Sequence, residues 1–100
     1  KKGQALFPET ETNLFGYELL QNGNAKDAVE VFKMNVEAFP ASANTYDSLS
    51  DGYLALGNRE EALRYAEKTL EMLPKDTQAS EEFKARIRES AEKKIKELKK

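Results

Sequence analysis

The chain contains no cysteine, no histidine and no tryptophan, and only three prolines and five glycines among its 100 residues. Without Cys there is no disulfide and no thiolate metal site, although the redox compartment stays open. Without His the commonest general base and the commonest metal ligand are both missing. No apolar run approaches the roughly 18 residues that a bilayer span requires, and Lys1 and Lys2 are not followed by the apolar stretch of a signal peptide. These features predict a soluble chain with no membrane partner, its compartment unknown. Neither charge dominates: the net charge is −2. Residues 1–58 carry four Lys against eight acids, a sum of −4, and residues 59–100 carry twelve Lys and Arg against ten acids, a sum of +2. That balance lacks the broad positive surface that grips phosphates, so a nucleic-acid partner is not expected. Gly16, Gly23, Gly52 and Gly57 are dispersed, so there is no Gly-rich phosphate loop. At 39% hydrophobic and 34% charged, the composition suits a globular domain. A chain this short forms one domain and spends most of its apolar residues closing a core.

What is present is a repeat. Gly23, Asn24, Ala28, Glu37 and Pro40 recur 34 residues later as Gly57, Asn58, Ala62, Glu71 and Pro74. A period of that length with helical patterning inside it denotes a helical repeat array. Pro8 followed by Glu9, Thr10, Glu11 and Thr12 supplies helix-start signals, predicting a first helix over about Glu9 to Gln21, stopped by Asn22-Gly23-Asn24. A second runs from about Ala25 to Phe39 and ends at Pro40. Ser42 is placed to cap a third, which halts at Gly57-Asn58. A fourth spans about Arg59 to Leu73 and ends at Pro74. A fifth runs from about Gln78 almost to the end, with Phe83, Ile87, Ala91, Ile95 and Leu98 on one stripe and charge elsewhere. The short connections make sequential helices antiparallel neighbours.

On these residues the chain resembles the tetratricopeptide repeat family over about residues 9 to 90. Thr12, Phe15, Gly16, Leu19, Ala28, Phe32, Asn35 and Pro40 fall on the signature places of the first unit. Tyr46, Leu49, Ser50, Tyr53, Ala62, Ala66, Thr69 and Pro74 fall on those of the second. Thr12, Asn35, Ala66 and Thr69 depart from the family pattern, and Phe83 and Ile87 continue the frame into a third unit. The resemblance implies an all-α array of two helix-turn-helix repeats, 9–42 and 43–76, plus a long C-terminal capping helix over 77–100. Residues 8–100 then form a single domain, and residues 1–7 the remnant of a linker. The absent initiator Met suggests a piece of a longer protein. The string from Asn13 to Pro40 and that from Asn44 to Met72 are also similar to a tail appended to some bacterial serine hydrolases, which would place a catalytic domain upstream.

Function is expected to be binding rather than catalysis. Ser48 and Ser50 flank Leu49 within a helix pattern and have nothing beside them to act as a base. Asp47 and Asp51 lie one helical turn apart, where they could share a proton or a hard cation; such pairs ordinarily form a solvated or ligand-facing surface. No metal or cofactor is expected. The family resemblance implies a concave groove lined by Thr10, Asn13, Leu14, Tyr17, Leu20 and Gln21 of the first helix, by Asn44, Asp47, Ser48, Asp51, Leu54 and Ala55 of the third, and by Gln78, Glu81, Glu82 and Arg88 of the fifth. Tyr17 and Leu20 either meet a ligand or pack against Leu6 and Phe7. Asp47, Asp51, Glu81 and Glu82 imply an acidic groove that prefers basic or neutral ligands over a terminal carboxylate. The expected role is a noncatalytic protein or peptide interaction module, or alternatively a structural or dimerising appendage of a larger hydrolase. A weak homodimer through the first helix, using Leu6, Phe7, Leu14 and Leu20, is the expected oligomer.

Overall fold

Glycine and proline punctuate the helices. In the computed structural model, which describes residues 8–100, the helices are α1 (Glu9–Gln21), α2 (Ala25–Ala38), α3 (Ala43–Leu56), α4 (Arg59–Met72) and α5 (Glu81–Leu98), with a 3-10 turn at Leu73–Lys75. The linker expected at residues 1–7, with Leu6 and Phe7, lies outside the described residues. The fold is an all-α helical repeat array, with no strand among the described residues.

The two interhelical turns are the same turn used twice. Gly23 (φ 80°) and Gly57 (φ 90°) take the left-handed conformation that a side chain would strain. Their N–H groups donate to Leu20 O and Leu54 O, and those of Asn24 and Asn58 donate to Leu19 O and Tyr53 O.

Three boundaries differ from the sequence reading. Helix α2 stops at Ala38 and α4 at Met72, as the chain approaches Pro40 and enters the 3-10 turn containing Pro74. Helix α5 begins at Glu81 rather than near Gln78, because the Asp76 carboxylate accepts from the N–H groups of Gln78 (3.0 Å) and Ala79 (3.2 Å) and holds that stretch in a turn. Ser80 then caps α5 by accepting from Phe83 N. Ser42 does not cap α3; its hydroxyl donates to the Glu9 carboxylate at 2.6 Å, and Asp76 accepts from the first α3 amide, Ala43 N, at 2.9 Å. The final residue of each repeat thus reaches back to the first helical residue of the same repeat.

Helix α2 lies against α1 and α3, and α4 against α3 and α5. The main core is Phe32 with Ala28, Val29 and Leu49. Phe32 is fully buried because Gly16 and Gly52 leave room for its ring: a Cβ on either would meet it at once. Tyr17 completes the enclosure edge-on, its ring centroid 5.0 Å from that of Phe32. A second cluster, Ala43, Leu73 and Ile87, fixes the start of α5. Two of the departures from the family pattern are buried and satisfied: Asn35 donates to Glu9 O and Thr69 to Tyr65 O.

Ala28 and Ala62 have no exposed surface, so enlarging either to Leu overpacks a helix contact. Each substitution is expected to cost about 1–3 kcal/mol in urea unfolding, and unchanged midpoints would show that these helices do not approach as closely as the structure has them.

Candidate functional site

The residues proposed for the groove separate into a filled part and an open part. In the filled part, α5 lays its second half across α3. The Lys94 ammonium lies 2.9 Å from the carboxylates of both Asp47 and Asp51 and donates to Asp47 O at 2.9 Å. An ammonium has three N–H donors, and all three are used. Ser90 donates to the same Asp47 carboxylate at 3.1 and 3.2 Å, and the Tyr17 hydroxyl donates to Asp51. Asp47, Ser48 and Lys94 are buried. The two carboxylates that the sequence places one turn apart do share a cation, and it is the chain's own.

This network weakens the negative field expected of the groove. Lys94 cancels one of the two charges of Asp47 and Asp51, and Glu81 stands beside Lys84 at 3.8 Å. Burial holds the Asp47 carboxyl above the ordinary carboxylate range, and the attraction of Lys94 offsets this only in part. Burial likewise pushes the Tyr17 hydroxyl far up, with the neighbouring Asp51 charge adding to the effect. Tyr17 therefore stays a neutral donor. With its ring on Phe32 and its hydroxyl on Asp51, it belongs to the core more than to a ligand surface.

The register of α5 departs from that of the repeats. Tyr17 meets Asp51, 34 residues on, whereas Asp47 meets Ser90 and Lys94, 43 and 47 residues on. Phe83 is therefore 41% exposed and turned to a cleft, unlike Leu49, which is 1% exposed, although Ile87 is buried.

That cleft is the open part. About 440 Å³ in volume, it lies between the N-terminal ends of α1, α3 and α5 and is lined by Asn13, Leu14, Asn44, Gln78 and Phe83, with Glu9, Thr10, Ser42 and Asp76 around them. Asn13 Oδ1 is buried and has no hydrogen-bond partner. Leu14 and Phe83, 58% and 41% exposed, give the cleft two apolar walls. Of the remaining proposed groove residues, Leu20 packs on the Phe32 core, and Gln21, Glu81 and Glu82 are exposed away from this lining. Sequence reasoning missed Lys94, Ser90 and Asp76. Only Asp76 left a signal, as an Asp followed four residues later by a helix-capping Ser.

Asp76 shapes one wall of the cleft and is a test of it. Burial alone would raise its carboxyl, but the backbone donors of Ala43, Gln78 and Ala79, with Lys84 nearby, outweigh this and hold it below the ordinary range. A depressed folded pKa gives stability that is present above the unfolded pKa and lost as pH falls through the folded one. Replacing Asp76 by Ala is expected to cost about 1–3 kcal/mol at neutral pH, a gap that narrows in acid. A gap independent of pH would mean that the carboxylate charge plays no part.

Among the described residues no three Asp or Glu side chains converge as a metal site, and no helix is long and apolar enough to cross a membrane. Compared with protein-family models, with curated proteins and with solved structures, the chain finds no match.

Proposed function

We propose that this chain is a noncatalytic, tetratricopeptide-type interaction module that holds an extended peptide segment in the cleft between α1, α3 and α5. The observation that carries this reading is the unpartnered amide oxygen of Asn13, buried at a cleft that also presents the Asn44 side chain. A buried polar atom without a partner costs roughly 1–3 kcal/mol, and a peptide N–H entering the cleft removes that cost. Two side-chain amides serve a peptide backbone well, because each offers both a donor and an acceptor. Leu14 and Phe83 would flank the bound segment with apolar surface, the usual mixture for a recognition site. The shape of the cleft is set by the chain's own charges, since Lys94 and Asp76 between them fix where α5 lies on α3. With Lys94 cancelling one of the two charges of Asp47 and Asp51, and neither carboxylate among the residues lining the cleft, the ligand is read through backbone amides and apolar side chains more than through its net charge.

Selection of a phage-displayed library of linear peptides on the intact chain tests the proposal. Enriched peptides are expected to lose binding to a variant carrying Asn13→Ala with Asn44→Ala, whose thermal unfolding stays close to that of the parent. Enrichment that survives this pair, or that requires Gln21 or Glu82 instead, would move the site out of the cleft.

A further inference from the structure

A second depression, of about 340 Å³, lies between α1 and α2. Its walls are the apolar side chains of Phe15, Val31 and Met34, with Thr12 and Glu11 at the rim. Phe15 is 52% exposed and Met34 57%, yet Leu49, 34 residues after Phe15, is 1% exposed. The cause of the difference is visible within the chain. Val29 and Phe32 of α2 cover Leu49. One turn further along α2, Val36 borders a cleft with Tyr46, Tyr65 and Lys68. Those three are the counterparts, one repeat on, of Thr12, Val31 and Met34. Helix α3 therefore receives α2 on the face whose counterpart on α1 no described residue covers.

We propose that the Phe15–Val31–Met34 depression is a docking site for an amphipathic helix of a protein partner, seated beside it as α2 is seated on α3. The internal repeat specifies the partner's chemistry. An aliphatic side chain at the place of Val36 borders the depression as Val36 borders its own cleft, and the side chains at the places of Val29 and Phe32 lie toward Phe15 as these two lie on Leu49, burying surface that is otherwise wet. Seven residues earlier the match changes. Val29 and Phe32 lie against Gly52, where an added Cβ would come within 3.1 Å of each, but the counterpart of Gly52 on α1 is the exposed Glu18. The partner helix therefore carries Lys or Arg where α2 carries Val29. Glu11 at the rim adds charge of the same sign. This surface is separate from the peptide cleft and does not depend on that reading.

The probe is a synthetic peptide of residues 24–39 carrying Val29→Lys, titrated into the intact chain and followed by amide and methyl NMR. Saturable shifts are expected at Phe15, Val31 and Met34. Affinity is expected to fall roughly tenfold or more with Phe15→Gln or Met34→Gln in the chain, or with Val36→Asp in the peptide. Both chain substitutions replace side chains that are more than half exposed, so thermal unfolding serves as the control for folding. Glu18→Lys is expected to weaken the Val29→Lys peptide as well. No binding, shifts centred on Asn13 and Phe83, or affinity indifferent to Phe15→Gln would overturn the proposal. Concentration-dependent shifts at Phe15 without peptide, or contacts of Phe15 with residues 1–7, would assign the depression to a second copy or to the chain itself, and would overturn it equally.

Discussion

Replacing Lys94 by Met is expected to cost the domain about 3–5 kcal/mol at neutral pH, the range for breaking a buried ion pair from one side. The loss is large because Lys94 serves three acceptors at once and leaves Asp47 charged and buried without a counter-ion. Stability of a small domain is only about 5–15 kcal/mol in total, so the variant unfolds at much lower urea. The pH dependence has a definite sign. Burial has already raised the Asp47 carboxyl in the folded state, and removing Lys94 raises it further. A raised carboxylate destabilises the fold at neutral pH and ceases to do so as pH falls through its folded pKa. The deficit of Lys94→Met should therefore shrink in acid, and adding Asp47→Asn with Asp51→Asn should restore much of it at neutral pH. Urea midpoints across pH measure both effects. A loss under about 1 kcal/mol, the range of an exposed pair, would show that Lys94 is solvated and that the groove is open over α3.

Phe32→Ala is expected to cost a comparable amount, about 3–5 kcal/mol, since the ring is wholly buried between two glycines on different helices. The partner substitution is more informative. A Cβ on Gly16 would stand 2.7 Å from Phe32 Cδ1 and Cζ and closer still to Cε1. Gly16→Ala should then destabilise by about 1–3 kcal/mol through overpacking, despite the gain of about 1 kcal/mol that Ala brings to a helix interior. In the Phe32→Ala background the clash is absent, so the same Gly16→Ala change should become neutral or stabilising. Such a reversal of sign is a coupling between two sites. Additive effects in the double-mutant cycle would mean that the ring does not rest on Gly16.

What the sequence made legible follows what each signal encodes. The start of α1 and both Gly-Asn turns could be read because Pro8, Gly23 and Gly57 act through local backbone constraints. The pairing of hairpins could be read because Ala28 and Ala62 repeat at the same place. The start of α5 was misplaced because Asp76 bonds to backbone amides, and a charged residue after Pro74 looks the same whether it caps a turn or faces water. Lys94 was missed for a related reason. It is one of several lysines on a highly charged helix, and periodicity cannot say which of them turns inward once the register leaves the 34-residue frame. The acidic groove counted Asp47 and Asp51 at full charge, beside Glu81 and Glu82, without the one cation that Lys94 sets between the first two. Asn13, Asn44 and Gln78 line one cleft because they lie at or just before the starts of α1, α3 and α5.

The ties from Ser42 to Glu9 and from Asp76 to Ala43 each close a repeat upon itself. Neither bond crosses from one repeat to the next. A duplication inserted between Ser42 and Ala43 would therefore break neither tie, and each copy would arrive with its ends already joined. Thr45 and Tyr46 cross the junction with bonds to the nearby carbonyls of Phe39, Pro40 and Ser42, and the pairing of Tyr17 with Asp51 spans it over a full repeat, so a lengthened array would need these hydroxyls and that carboxylate at the same places in each new copy. Growth or loss of whole units is thus a change that this architecture tolerates at the level of the gene, while a frame shift of a few residues within a unit is not.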